Sequence, residues 1–385
     1  MAIWTACLRF GGFTTARKAK STALADVLDK DLQYMVDRRT WQDAVKDRVI
    51  VPTGHFELDE MLFAPIGGLV LGKRYEFWGG KGSYKTGLLI ELIAHCLEAD
   101  PRKALLLDTE KADGKDNIHD RMVAVGIDLN RVDVFQPSSL DHVYRVGVQA
   151  AECGEYGIIG WDSYGATLPK PSTPADVRAY EAKDYSEGKF AIAQGARANV
   201  AGIADLRDAV EANNVTLIML NQYRFNIGIF SRAGTPGIEP GGNALRHSFN
   251  VIVQLDRRRA VYEDGDSTGT NPIGLEVRAQ VHHSHLFPAP RKTGPGGMCP
   301  DLRFYFDGRP SDPTETIVSE AVRTGVIEKH GAFYTFQGEQ FHGVGSLIEA
   351  VRPVRMELWN VVRSIIVDDP TDEYAKMLNG AGDDG

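Results

Sequence analysis

Four short runs are apolar almost throughout rather than at alternate positions: Arg74 to Trp78 (RYEFW), Lys103 to Leu107 (KALLL), Gly157 to Trp161 (GIIGW) and Val215 to Leu220 (VTLIML). Strands of this kind, separated by helical segments, predict an α/β fold with a parallel sheet covered on both faces. Thr86 to Ala99 reads as an apolar helix ended near Pro101. Each run is followed by polar residues: a glycine-rich loop after Trp78, then Asp108-Thr109-Glu110, Asp162-Ser163 and Asn221-Gln222. In open α/β sheets ligands bind at the carboxyl edge of the strands. One site built from four strand ends is therefore expected.

Outside this middle region the pattern changes. Val251 to Leu255, Gly274 to Val281 and Leu302 to Phe306 read as further strands that extend the sheet. After Pro310 come a helix (Glu315 to Val326), a hairpin (AFYTFQGEQF) and a helix (Ser346 to Val367), taken together as a small C-terminal α/β domain over 311–366. Ser21 to Met35 has a serine cap and apolar spacing of three and four, so a small helical arm is expected over 1–48, with the core domain over 49–310.

The loop after the first strand reads WGGKGSYKTGLL from Trp78 to Leu89, close to the phosphate-binding pattern G-x-x-x-x-G-K-[ST]. Gly79, Gly80 and Gly82 would let backbone N–H groups approach an anion, with Lys81 among them and Ser83 next after Gly82. Lys85 would reach the β- and γ-phosphates of a nucleotide such as ATP, and Thr86 would hold Mg²⁺. Tyr84 stands where the pattern has its second glycine; it fits only with a negative φ and a ring turned away from the phosphates. Asp162 is placed to orient Mg²⁺ through water, Glu110 (or, second, Asp108) to serve as the base for an attacking water, and Gln222 to sense the γ-phosphate.

Charge refines this picture. The net charge of −9 argues against passive binding of nucleic acid over the whole surface. Yet Asn221 to Ala260 carries six arginines against Glu239 and Asp256, a local +4, and Ile365 to Gly385 carries six acids and one lysine, a local −5. A basic segment and an acidic tail (367–385) suggest a polyanion site with a competitor in the same chain, although charge alone favours a solvated tail and a few surface arginines. The start of the chain is broken by Arg9 and is a poor secretory signal, and no apolar run is long enough for a bilayer, so no membrane association is expected. Cys7, Cys96, Cys153 and Cys299 are scattered and predict reduced thiols in a cytoplasm.

The segment NQYRFNIGIFSRAGTPGIEPGGNALRHSFNVIVQLDRRR, together with VPTGHFELDEML and GGLVLGKRYEFWGG upstream, strongly resembles RecA-type recombinases, from about Val49 to Gly345. An aromatic residue at the place of Tyr84 is similar to phage recombinases of the UvsX type. The resemblance implies a RecA-like P-loop ATPase core. It matches Lys85 and Thr86 to ATP and Mg²⁺ contacts, Glu110 to the catalytic glutamate, Asp162 to the metal-associated aspartate, and Gln222 to the glutamine that reports the γ-phosphate. It also implies DNA-binding loops over Pro169 to Gly188 and Tyr223 to Gly242, and a DNA-contacting arginine at Arg197. The second loop supports this independently. It is rich in Gly and Pro and offers Arg224, Phe225, Phe230 and Arg232, and aromatics on a basic loop suit stacking on single strands. Gly241, Gly242 and Asn243 would bring backbone amides close to phosphates.

Two departures from the family stand out. Its pair of lysines reaching a neighbouring subunit's ATP has no counterpart in VHHSHLF, where His282, His283 and His285 lie instead, with Arg278, Arg291 or Lys292 as other candidates. His283 and His285 would share a strand face, an arrangement more often structural than metal-binding. The loop after Glu110 (KADGKDNIHDRM) aligns poorly, so it names no base-stacking residue. The expected function is an ATP-dependent recombinase that forms helical filaments on single-stranded DNA, pairs it with a homologous duplex and exchanges strands. Single-strand-binding and loader proteins are expected accessories, and the arm is the expected link to the next subunit. The alternatives are a recombination mediator with weak ATPase and a RecA-fold helicase motor.

Overall fold

The computed structural model describes residues 48–63, 66–110, 114–164, 189–222, 242–263, 270–286 and 300–368. The chain divides into two compact units, Met1–Arg48 and Val49–Gly385. The expected arm, and the helix within it, lie outside the described residues, as does the acidic tail beyond Asp368. Every strand and helix described belongs to the second unit.

The centre of that unit is an eight-stranded sheet in the order β10-β9-β8-β3-β7-β6-β4-β5. These strands are β3 (Arg74–Gly79), β4 (Lys103–Asp108), β5 (Val132–Phe135), β6 (Tyr156–Asp162), β7 (Thr216–Gln222), β8 (Val251–Val261), β9 (Gly274–Ser284) and β10 (Asp301–Tyr305). Strands β3 to β8 are parallel, and β9 and β10 continue the sheet antiparallel. The later apolar runs therefore do extend the sheet. A two-stranded antiparallel pair, β1 (Ile50–Val51) and β2 (Leu69–Val70), precedes it.

Continuous apolar strands follow from burial on both faces. In β4, Ala104 and Leu106 enter one core while Leu105 and Leu107 enter the other. The first core is closed by α1 (Lys85–Ala99), through Leu88, Leu89, Ile90, Leu92, Ile93 and Cys96. The second is closed by α3 (Leu140–Glu152), which Ser139 caps by accepting from the His142 N–H, and by α4 (Lys189–Ala212). A short α2 (Gly114–Ala124) and α5 (Gly242–His247) complete this region.

The C-terminal part has a separate apolar core. It holds α6 (Thr314–Arg323), a three-stranded antiparallel sheet of β11 (Glu328–His330), β12 (Phe333–Phe336) and β13 (Glu339–His342), α7 (Val344–Val351) and α8 (Arg355–Asp368). In place of the single helix expected from Ser346 to Val367, two are found. A 3₁₀ turn at Arg352–Val354 separates them, because Pro353 has no N–H to continue the α-helical ladder. A π-helical turn at Glu57–Leu62 joins the two parts. Phe56 and Met61 pack into the C-terminal core, Thr316 donates to Glu57, and Glu60 accepts from both Trp359 Nε1 (3.1 Å) and Arg363 (2.9 Å).

Candidate functional site

The parallel register brings the polar strand ends to one edge. Gly79 lies beside Gln222 on one side and Leu255 on the other, and Asp108 lies beside Asp162. Gly79 has no room for a side chain, since a Cβ there would fall on Leu255 O and 2.9 Å from Ser83 Oγ.

From Gly79 the chain turns into the loop of Gly80, Lys81, Gly82, Ser83 and Tyr84, and α1 begins at Lys85. The Ser83 hydroxyl donates to Gly80 O (2.9 Å). Lys85 is buried and directs its ammonium onto the loop itself, at Gly79 O (3.0 Å), Gly80 O (2.7 Å) and Ser83 Oγ (3.3 Å). Burial holds its pKa below the usual lysine value, opposed by Asp162 and Glu110.

Tyr84 corrects the expectation about its backbone. Its φ is +64° with ψ 17°, left-handed rather than negative. The residue adopts the conformation a glycine would supply at this position, and the ring is held along α1, packed against the first core.

Beside the loop, the Thr86 hydroxyl donates to Asp162 Oδ2 at 2.6 Å. Burial pushes the Asp162 carboxyl up to about 6. The Thr86 hydrogen bond and Lys85 oppose this shift, while Glu110 and Asp108 add to it. A hydroxyl and a carboxylate are the hard oxygen donors that suit Mg²⁺. Backbone N–H groups at the start of α1, with a lysine in the same loop, suit phosphate oxygens. The residues present thus fit a magnesium–nucleotide complex.

A second cluster lies next to this pair. Glu110 Oε1 accepts from Ser163 Oγ (2.9 Å) and from Gln222 Nε2, and the Gln222 amide lies 3.5 Å from Ser163 Oγ. The Thr109 hydroxyl lies 2.7 Å from Ser163 O and 3.0 Å from Asp162 O, tying β4 to β6. The buried Asn221 donates to Glu76 (2.8 Å) and accepts from the Gln222 N–H (2.9 Å), which fixes the end of β7. Asp108, the second candidate base, instead accepts from Gln136 (2.8 Å). Sequence reasoning assigned no role to Ser163, Thr109 or Asn221. Their only signal was adjacency to Asp162, Glu110 and Gln222 at the strand ends.

Most of the expected DNA-binding residues are outside the described residues. Arg224, Phe225, Phe230, Arg232 and Gly241, and the loop over Pro169 to Gly188, are outside the described residues. Gly242 and Asn243 open α5 and Arg197 belongs to α4, but their side chains are likewise outside the description. His283 and His285 do meet, with ring centroids 4.2 Å apart, and His282 sits edge-on to Trp78 at 5.1 Å. Among the described residues no group of three or more possible metal ligands occurs. Arg278 is engaged by Asp301 through two hydrogen bonds, at 2.8 and 2.9 Å, and Arg291 and Lys292 are outside the description.

The model of the RecA N-terminal domain matches residues 33–293, which span the loop, all four strand ends and strands β8 and β9. The chain belongs to the RecA family. It is 27% identical over 370 residues to Protein RecA of a Thermus thermophilus strain, covering 96% of this chain and 98% of that one. It is 28% identical over 321 residues to Protein RecA of Thermus aquaticus (83% and 85%), and 26% identical over 323 residues to Protein RecA of Syntrophus aciditrophicus (84% and 85%). As a RecA-family recombinase it is a DNA-dependent ATPase that uses ATP with Mg²⁺ and carries out DNA strand exchange in recombination and repair. It binds single-stranded and duplex DNA and assembles into homo-oligomeric filaments. Among the described residues no helix is long and apolar enough to cross a membrane.

Proposed function

We propose that the strand ends form one ATPase centre in which the hydrolytic base and the DNA-binding segment share a hydrogen bond. The observation that carries this reading is the contact from Gln222 Nε2 to Glu110 Oε1. Gln222 ends β7, and the segment 223–241, with Arg224, Phe225, Phe230 and Arg232, follows directly. Moving the Gln222 amide off Glu110 changes both the base and the start of that segment. Lys85, with the backbone of Gly79, Gly80, Lys81, Gly82, Ser83 and Tyr84, holds the phosphates. Thr86 and Asp162, joined by their hydrogen bond, would hold Mg²⁺, which would neutralise charge on the phosphates. Glu110 orients water and takes its proton on a carboxylate oxygen that Ser163 positions. Bound ATP with Mg²⁺ supplies the phosphoryl group that is transferred.

Arg197 and Gly241 to Asn243 complete the DNA contacts in this reading, with 1–48 as the oligomerisation arm, 49–310 as the core, 311–366 as a small C-terminal domain and 367–385 as an acidic tail. Tyr84 supports placing the chain with the phage recombinases of the UvsX type, and its glycine-like φ argues against a broken loop and hence against a weak mediator. The compartment is the cytoplasm, where the DNA substrate is found.

The test is ATP turnover with and without single-stranded DNA. Wild type is expected to be stimulated, Lys85→Ala to lose ATP binding and turnover, and Glu110→Gln to lose turnover by about 10²-fold or more while keeping ATP-dependent DNA binding. Unchanged turnover in Glu110→Gln would remove Glu110 from its assigned role.

A further inference from the structure

The phosphate loop holds a tyrosine where its backbone requires a left-handed residue, and the surroundings of that tyrosine explain how. Its ring is stacked on Phe304, with centroids 4.4 Å apart and planes at 24°. Its hydroxyl donates to Glu91 Oε1 (3.0 Å), two helical turns along α1, and lies 3.5 Å from Tyr305 O. The other oxygen of Glu91 pairs with His55 Nε2 (2.8 Å), and the His55 ring stands edge-on to the same Phe304 at 4.8 Å. Between Tyr84 and Glu91 the ring passes over Gly87, where a Cβ would lie 2.5 Å from Tyr84 Cε1 and Cζ. Glycine inside a helix is normally inferior to alanine. At position 87 it is required by the ring.

We propose that Tyr84, Glu91 and His55, with the space left by Gly87, form a tether that fixes the phosphate loop and sets its affinity for nucleotide. This rests on the reading that Gly79 to Thr86 holds the phosphates of ATP. None of the three side chains touches the phosphates in this scheme, where Tyr84 meets them through its backbone alone; the side chains are positioning groups. A tyrosine left to itself would relax from a positive φ and rotate the N–H groups of Tyr84 and Lys85 out of the loop. The stack on Phe304 and the hydroxyl bond to Glu91 prevent that rotation, and His55 prevents Glu91 from following the ring. Burial, reinforced by Glu91, raises the Tyr84 phenol well above its usual value, so it remains a donor throughout the working range of pH.

The experiment is a cycle on the full-length chain: wild type, Gly87→Ala, Tyr84→Gly and the double variant Tyr84→Gly/Gly87→Ala. Binding of a fluorescent methylanthraniloyl-ATP with Mg²⁺ is read alongside KM for ATP and kcat, and circular dichroism checks folding. Gly87→Ala is expected to raise Kd and KM about tenfold with kcat changed less than about twofold, although alanine favours the helix. In the Tyr84→Gly background the same substitution is expected to cost nothing, because no ring remains for the added methyl to displace. Glu91→Ala is expected to reproduce the rise in KM and Glu91→Gln, which retains an acceptor, to spare it; this pair carries the test should Gly87→Ala prevent folding. An unaltered KM in both Gly87→Ala and Glu91→Ala, or an equal cost of Gly87→Ala with and without the ring, overturns the tether. Lys85→Ala separates the two levels. If it leaves nucleotide binding intact, the loop reading itself fails; if it abolishes binding while Gly87→Ala does nothing, the tether alone fails.

Discussion

Asp162 is a carboxylate placed where charge is costly. Its folded value of about 6, against 3.8 for the free side chain, means that the folded protein binds a proton more readily than the unfolded chain between those limits. The penalty on stability is absent below the lower value, grows as pH rises and is complete above the upper one. Asp162→Asn keeps an acceptor for Thr86 and removes the charge. It is expected to stabilise the nucleotide-free protein by at most about 3 kcal/mol near pH 8 and by almost nothing near pH 4. Urea unfolding at the two pH values checks this; an equal effect at both would show that the charge is not the cause. The same variant is expected to lose ATP turnover, since burying an ionised group makes sense only where a cation repays it. At this scale the sequence was informative about residue type and poor about conformation. Glu110, Asp162 and Gln222 could be brought to one edge from their strand ends, and Lys85 and Thr86 beside them from the glycine-rich loop. The positive φ of Tyr84 could not, because it depends on Phe304, more than two hundred residues away, and on Glu91, whose side chain reads as an ordinary helical polar position.

The elements divide along similar lines. Strands β3, β4, β6 and β7 were legible because burial on both faces leaves an apolar run that a half-exposed strand does not have. Strand β5, with only Val132 buried, carries too little of that signal, and the two-residue β1 and β2 are too short to carry any. Strand order was not legible, since it is set by long-range pairing. Helix packing was also hidden, although it leaves a trace in glycines. A Cβ at Gly202 of α4 would enter the Tyr144 ring of α3, and one at Gly147 of α3 would lie 2.9 Å from Leu206 of α4. Gly202→Ala is therefore expected to destabilise the protein by about 1–3 kcal/mol through overpacking, despite a helix-propensity gain of about 1 kcal/mol. A rise in the urea midpoint would mean that the two helices part without cost.

Across the whole molecule, the π-helical turn between β1 and β2 couples the sheet to the C-terminal core. Glu60 accepts from Trp359 and Arg363, Glu57 accepts from Thr316, and Trp359 is fully buried with Phe56 edge-on at 5.0 Å. Trp359→Ala removes the largest side chain of that core and one partner of Glu60, a loss of about 3–5 kcal/mol. Calorimetry is expected to show the C-terminal part melting ahead of the sheet in this variant; a single transition at the wild-type temperature would mean that the turn is not the coupling element.

The ring of Tyr84 lying over Gly87 also imposes a direction on how such a loop can arise. With glycine at both positions the loop has its usual freedom and helix α1 is merely a little weaker. From there a tyrosine at 84 finds room, and Phe304 and Glu91 can receive it. With any larger residue at 87 the tyrosine has nowhere to lie, so the substitution at 84 is open only to a lineage that already holds glycine three positions on. Once the tyrosine is in place, exchanging the glycine displaces the ring and loosens the loop. The two changes therefore have an order of acquisition, and the second makes the first costly to reverse.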